Sequence, residues 1–291
     1  MLAGKSVEHV SQDIGKHFVV GQISGYYNNL TQKVTMMPEL VDTEELPLIK
    51  QLDGKYIIFP VAVFQFTLGC YDLYLSTTDR RYYKKFIQCA DWTLAKQDTH
   101  GRWDNFSHTY PNSPYGAMAQ GEATSILIRA YNQTQDKKYI EAAKKSIDFM
   151  LKPINHGGTS IYEGDDLLFA EYTHLPVVLN GWIFAWWGLY DYVVVTGDKG
   201  YYKDKLDQSC RSIIKYLPSF KNAYWSKYDL GNNITSPFYH NLHVAQMQAM
   251  YKLTGEKVFD EYAKKWESQL RNPINKSIAF TVKAIQKILE K

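Results

Sequence analysis

After residue 57 the chain alternates between two kinds of stretch, one apolar on nearly every side and one with its charges gathered on one side of a helix. The apolar stretches cover residues 60–76, 115–133, 177–195 and 239–253, and the amphipathic ones cover 80–97, 137–152, 199–216 and 257–270. Tyr139, Ala142, Ala143, Ile147 and Met150, set among Lys137, Lys138, Lys144 and Lys145, typify the second kind. The first kind is clearest in 177–195, where Leu179, Ile183, Phe184, Trp186, Trp187, Leu189, Tyr190 and Val193 precede or surround a single charge, Asp191. Such a helix is expected to be buried all round. Its length raises the question of a membrane span. Stretches of the same length with many more polar residues recur along the chain, which argues against one.

The alternation follows a repeat. Thr-x-Asp/Glu-Lys/Arg-x-Tyr/Phe begins at Thr77, Thr134, Thr196 and Thr254, at spacings of 57, 62 and 58 residues. Each copy closes an apolar helix and opens an amphipathic one, placing an acid where a helix N-terminus favours negative charge. A proline precedes each apolar helix, at Pro60, Pro114, Pro176 and Pro237, and fits a helix start because it has no amide hydrogen to leave unbonded. Four helical hairpins follow, with a ninth helix at residues 274–289. The packing that explains why one helix of each pair is so apolar is an all-α fold, an incomplete α/α toroid with inner apolar helices wrapped by outer amphipathic ones. A linear solenoid fits the repeat but leaves that contrast unexplained. Residues 58–291 are thus read as the toroid domain and residues 1–57 as a short extension. In the extension, Val7 to Val20 suggests a short amphipathic helix, Tyr26 to Thr35 an extended or hairpin segment, and Asp53-Gly54 a turn.

In a ring of this kind the inner helices all start at one end, which gathers the loops 101–115, 162–174 and 224–239, rich in Tyr, His, Asn and Asp. A polar cleft on a rigid scaffold is expected there. An aromatic content of 15%, including 23 Tyr, suits a packed core or a carbohydrate cleft walled by ring faces. A formal net charge of +3 gives no case for nucleic acid. Cys70, Cys89 and Cys210 have neither metal-ligand spacing nor an even disulfide set, and read as buried thiols. Met1 to Gln12 lacks the pattern of a secretory signal, which points to a cytoplasmic or a trimmed extracytoplasmic chain.

Four groups carry candidate chemistry: Glu171-Tyr172, ahead of the most apolar helix; Tyr239-His240-x-x-His243-x-x-Gln246; Tyr228-Asp229-Leu230; and Ala117-Met118-Ala119-Gln120-Gly121-Glu122, whose small residues also suit close helix approach. The two histidines lack a third ligand at a supporting distance, so no metal is expected, and no cofactor motif is present. Serine-triad, phosphate-loop and zinc-finger signatures are absent.

Ala117 to Gly121, Glu171-Tyr172 through Pro176, Val178-Leu179-Asn180-Gly181, Gly188-Leu189-Tyr190-Asp191, the Tyr239 to Gln246 row and Lys265-Trp266 resemble the C-terminal catalytic domain of D-glucuronyl C5-epimerases. Pro60 to Phe66 with Tyr71 extends the likeness, which covers roughly residues 55–270. The resemblance implies inversion at carbon 5 of glucuronate to iduronate within a heparosan-type polysaccharide, with no cofactor. It places catalytic roles on Glu171 and Tyr239, and puts Tyr172 and Tyr228 at the site. Arg102, Trp103, Tyr115, Gln120, His174, Asn180, His240 and His243 are the expected substrate-binding residues. The family has an arginine three residues after the tyrosine matched by Tyr228, where this chain has Gly231; Arg102, His108, His174, His240 and His243 are the substitutes on the same face. A polyuronate lyase, a glycoside hydrolase pairing Glu171 with Asp104, Asp165 or Asp166, and a non-catalytic glycan-binding protein are the alternatives. Family relatives suggest a homodimer. The apolar positions Ile278, Ala279, Val282, Ile285 and Ile288 could serve one or close the toroid.

Overall fold

The computed structural model describes residues 10–51 and 53–289. Its inner helices are α2 (Pro60–Thr77), α4 (Ala117–Thr134), α6 (Leu179–Thr196) and α8 (Pro237–Thr254), and its outer ones are α3 (Arg80–Lys96), α5 (Lys137–Met150), α7 (Tyr201–Tyr216) and α9 (Lys257–Arg271). The fold is an incomplete α/α toroid of four hairpins, followed by α10 (Pro273–Leu289). Every residue of α6 from Leu179 to Val193 is buried. No helix among the described residues is long and apolar enough to cross a membrane.

The repeated motif is a helix corner held by its own side chains. Each threonine donates its hydroxyl to the carbonyl one turn back, Thr77 to Leu73, Thr134 to Ala130, Thr196 to Tyr192 and Thr254 to Met250, at 2.6–2.8 Å. The following residue is left-handed, with φ of 59° at Thr78, 60° at Gln135, 63° at Gly197 and 75° at Gly255, and this ends the helix. Asp79 and Asp136 then accept the amides of Arg81 and Lys138 and so open α3 and α5. The prolines divide into two kinds. Pro60 and Pro237 occupy the first helical position as expected, whereas Pro114 and Pro176 stand three residues ahead of α4 and α6. There the chain first runs extended: the Ala117 amide donates to the Ala170 carbonyl, and Val178 bridges Asp229.

The inner helices touch most closely where α4 crosses α6. A Cβ on Gly188 would lie 2.4 Å from Gly121 Cα, and one on Gly121 would lie 2.5 Å from Ala185 Cα. These are backbone neighbours that cannot swing aside, so Gly188→Ala is expected to destabilise the fold by about 2–3 kcal/mol, read as a lowered denaturant midpoint at unchanged slope.

The N-terminal segment differs from the sequence expectation. No helix forms over residues 10–20, while residues 7–9 lie outside the described range; Ile14 instead bridges Asn28. Residues read as extended form a five-residue helix, α1 (Thr31–Thr35), and the strand pair of this region is β1 (Leu48–Lys50) with β2 (Tyr56–Ile58), turning through Gly54 at φ 88°. Tyr26, Tyr27, Leu30 and Val34 are at most 1% exposed, because the segment crosses the far ends of the inner helices and then packs Leu30 and Val34 against the middle of α2 at Gly69. Tyr26 donates its amide to Asp72 on α2, Arg129 on α4 donates to the carbonyls of Ser24 and Gly25, and Tyr190 on α6 accepts the Gly21 amide. A second hairpin, β3 (Ser160–Glu163) with β4 (Asp166–Phe169), lies between α5 and α6.

Candidate active site

The first turns of α2, α4, α6 and α8 enclose one cavity of about 650 Å³, with Val61, Met118, Asn180 and Tyr239 on its wall. Glu171 enters it directly after β4. Its backbone is fixed on both sides: the residue before it bonds the start of α4, and Gly116 packs so closely that a Cβ there would sit 2.0 Å from the Glu171 carbonyl oxygen. Its side chain lies across α6 at Gly181, where a Cβ would meet Oε2 at 2.3 Å. Glycine at that position is therefore what leaves room for the carboxyl. Glu171 is 6% exposed, and its Oε2 has no hydrogen-bond partner within the protein. Burial pushes its proton affinity up from the ordinary 4.5 to about 7, with the Tyr172 hydroxyl drawing it part of the way back.

Tyr172 also lines the cavity and packs its ring against Phe106 at 4.6 Å and Tyr110 at 5.8 Å. Tyr239, in the first turn of α8, faces Tyr228 edge-on at 5.1 Å. Burial raises the hydroxyls of Tyr172 and Tyr228 well above 10, and the negative charge of Glu171 adds to this in both. Both stay protonated at neutral pH and are donors in that state. The arrangement is a carboxyl poised near neutrality with phenols around it, the components of a proton abstraction and return.

Of the expected substrate-binding residues, Asn180 lines the cavity; its carbonyl accepts from Gln246 and its Oδ1 is buried without a partner. The others are held elsewhere. Arg102 pairs with Asp98 at 2.7 Å and lies over the Tyr115 ring, which in turn meets Phe149. Trp103 is a core residue donating its indole N–H to the Thr93 carbonyl, and Gln120 accepts from Ser146 between α4 and α5. His174 is exposed beside Tyr110, and His108 is exposed beside Phe59. His240 stacks on Trp225 at 3.7 Å and bonds the Trp266 carbonyl, while His243 lies against Ser226 and the Trp266 ring. Burial lowers the two to about 4 and about 3, so both are neutral parts of the packing between α8 and α9. The lumen side of α8 is carried instead by Phe238, Tyr239 and Leu242. Gly231 turns in a loop, its amide bonded to Asp229. Among the described residues no group of three His, Cys, Asp or Glu side chains is placed to hold a metal ion.

Several lining residues were not among the expected site residues. Lys33 on α1 and Gln65 on α2 are both buried at the cavity wall, and Gln65 donates to Glu122, a second buried carboxyl on α4. Burial pushes Glu122 up to about 8. Lys50, on β1, and Tyr56, on β2, stand exposed at the rim.

Residues 97–268 match the family model described as the D-glucuronyl C5-epimerase C-terminus. A D-glucuronyl C5-epimerase of Caenorhabditis elegans is 24% identical over 209 residues, which cover 62% of this chain and 34% of that protein, so the match spans about a third of that relative. An uncharacterized protein of Methanocaldococcus jannaschii is 29% identical over 246 residues, covering 73% of this chain and 79% of its own length. Among solved structures, a sugar epimerase from a ruminal bacterium shares the fold with a TM-score of 0.56 at 12% identity, over 83% of this chain and 69% of that one.

Proposed function

Because the chain belongs to the family defined by the D-glucuronyl C5-epimerase C-terminus, we propose that it inverts carbon 5 of D-glucuronate residues within a polysaccharide, giving L-iduronate. The observation that carries this reading is the Glu171 carboxyl, raised to about 7 in a cavity it shares with Tyr172 and Tyr239. Carbon 5 of a uronate bears a weakly acidic hydrogen next to a carboxylate. Glu171 takes that proton, and the electron pair left on carbon 5 spreads into the carboxylate as an enediolate. Tyr239 delivers a proton to the opposite face, which restores the carbon with inverted configuration, and solvent returns both side chains to their starting states. A protonated phenol beside the reacting carbon can serve as the acid, and donors aimed at the growing charge lower the barrier.

Digesting a heparosan-type polymer after incubation and separating its uronates tests the proposal: iduronate should appear with the total uronate unchanged. New unsaturated ends would mean elimination, and new reducing ends would mean hydrolysis. The pH profile follows from Glu171. Its base form is the ionised one, so kcat/KM should rise about tenfold per pH unit on the acid side and level off through an apparent value near 7. A flat profile across that range would remove Glu171 from the role of base.

A further inference from the structure

Loss of the carbon 5 proton places a second unit of negative charge on a carboxylate that already carries one, and a site that supports this holds a cation against that carboxylate. Among the described residues lining the cavity the cations are Lys33 and Lys50. Lys50 is exposed on β1 and solvent weakens its field, whereas Lys33 is only 5% exposed, where a charge acts at far lower dielectric. Lys33 is fixed in place by a close contact between α1 and α2: a Cβ on Gly69 would sit 2.5 Å from the Leu30 carbonyl oxygen and 2.9 Å from Val34 Cγ2. Gln65 lies one turn before Gly69 on the same face of α2, and its amide is tied to Glu122 at 2.9 Å.

We propose that Lys33, delivered by the N-terminal segment, is the residue that grips the substrate carboxylate and gives the site its selectivity for uronates over neutral sugars. The inference rests on reading the cavity as a uronate site. Glu122, buried on α4 and bonded to Gln65, lies within electrostatic reach of both Lys33 and Glu171, which places the cation and the proposed base around one part of the wall. Gln65 shapes the same wall and carries no charge of its own.

The test compares binding of two oligosaccharides by calorimetry, one containing glucuronate and one with that carboxyl reduced to the alcohol. The unmodified chain should prefer the glucuronate form, and Lys33→Met should weaken that form by about 10- to 100-fold while leaving the reduced form unchanged. Lys33→Arg should keep most of the preference, and so should Lys50→Met. If Lys33→Met weakens both ligands alike or neither, the proposal is overturned; the same holds if the unmodified chain shows no preference. Should Lys33→Met fail to fold, Lys33→Gln is measured in its place, and a glucuronate preference kept in full there overturns the proposal, as does a preference lost in Lys50→Met. Lys33-dependent uronate binding without exchange at carbon 5 would leave this inference standing and remove the epimerase reading.

Discussion

Glu171→Gln lowers turnover by about 10³-fold while leaving the folded structure as stable as before at low pH and more stable at high pH. The loss is expected because the amide is nearly the same shape yet accepts no proton. The stability change follows from the direction of the shift. A carboxyl whose affinity is raised from 4.5 to about 7 on folding binds an extra proton in the folded state, so its contribution is fully present below 4.5 and is lost as the pH rises through 7. Above that range the folded wild type carries a buried charge that the glutamine variant lacks, a difference on the order of 1–3 kcal/mol. Chemical denaturation of the pair on either side of the window reads this directly, and the two melting behaviours should converge in acid. A variant that loses activity and stability together at every pH would make Glu171 a packing residue instead.

Arg129→Met destabilises the protein by about 3–5 kcal/mol, the largest stability effect expected outside the site. The guanidinium is fully buried and makes a 2.6 Å ion pair with Asp191 on α6, while donating to the carbonyls of Ser125, Ser24 and Gly25. Asp191 also accepts from the Tyr27 hydroxyl, and the rings of Tyr26 and Tyr27 lie 5.3 Å and 5.7 Å from the guanidinium. Removing the arginine leaves a buried carboxylate and several carbonyls short of donors, and it releases the N-terminal segment from α4. Because that segment carries Lys33 to the cavity, activity should fall with stability. Replacing both charges, as in Arg129→Met with Asp191→Leu, should recover part of the loss, since the cost comes mainly from the partner left alone. Equilibrium unfolding of the single and double variants measures this; a single variant within 1 kcal/mol of wild type would contradict it.

The ring of helices was readable because each pair differs in a way that only packing explains: α5 keeps Lys137, Lys138, Lys144 and Lys145 off its buried face, while α6 has no face to spare. The Thr-x-Asp corners were readable as well, since the bonds that make them are local. What escaped the sequence depends on contacts between distant parts of the chain. The hairpin of β3 and β4 was missed because its second strand, Asp166 to Phe169, is buried throughout and shows no alternation. Glu171 and Tyr172 precede α6 by a short loop, Tyr239 lies in the first turn of α8, and all three line the cavity. His240 and His243 share a side of α8 as their spacing requires, but which side faces the lumen is decided by Trp225 and Trp266, far along the chain. Lys33 reaches the cavity only because Gly69 lets α1 settle against α2, a closeness that no local pattern records.

The most direct measurement is proton NMR of a glucuronate polymer of the heparosan type incubated with the protein in heavy water, with Glu171→Gln in parallel. Deuterium at carbon 5, iduronate signals, no unsaturated ends and no exchange in the variant are the expected result. Absence of exchange with every glucuronate polymer tried, or exchange that persists undiminished in Glu171→Gln, would contradict the assignment of this cavity as a site of carbon 5 inversion.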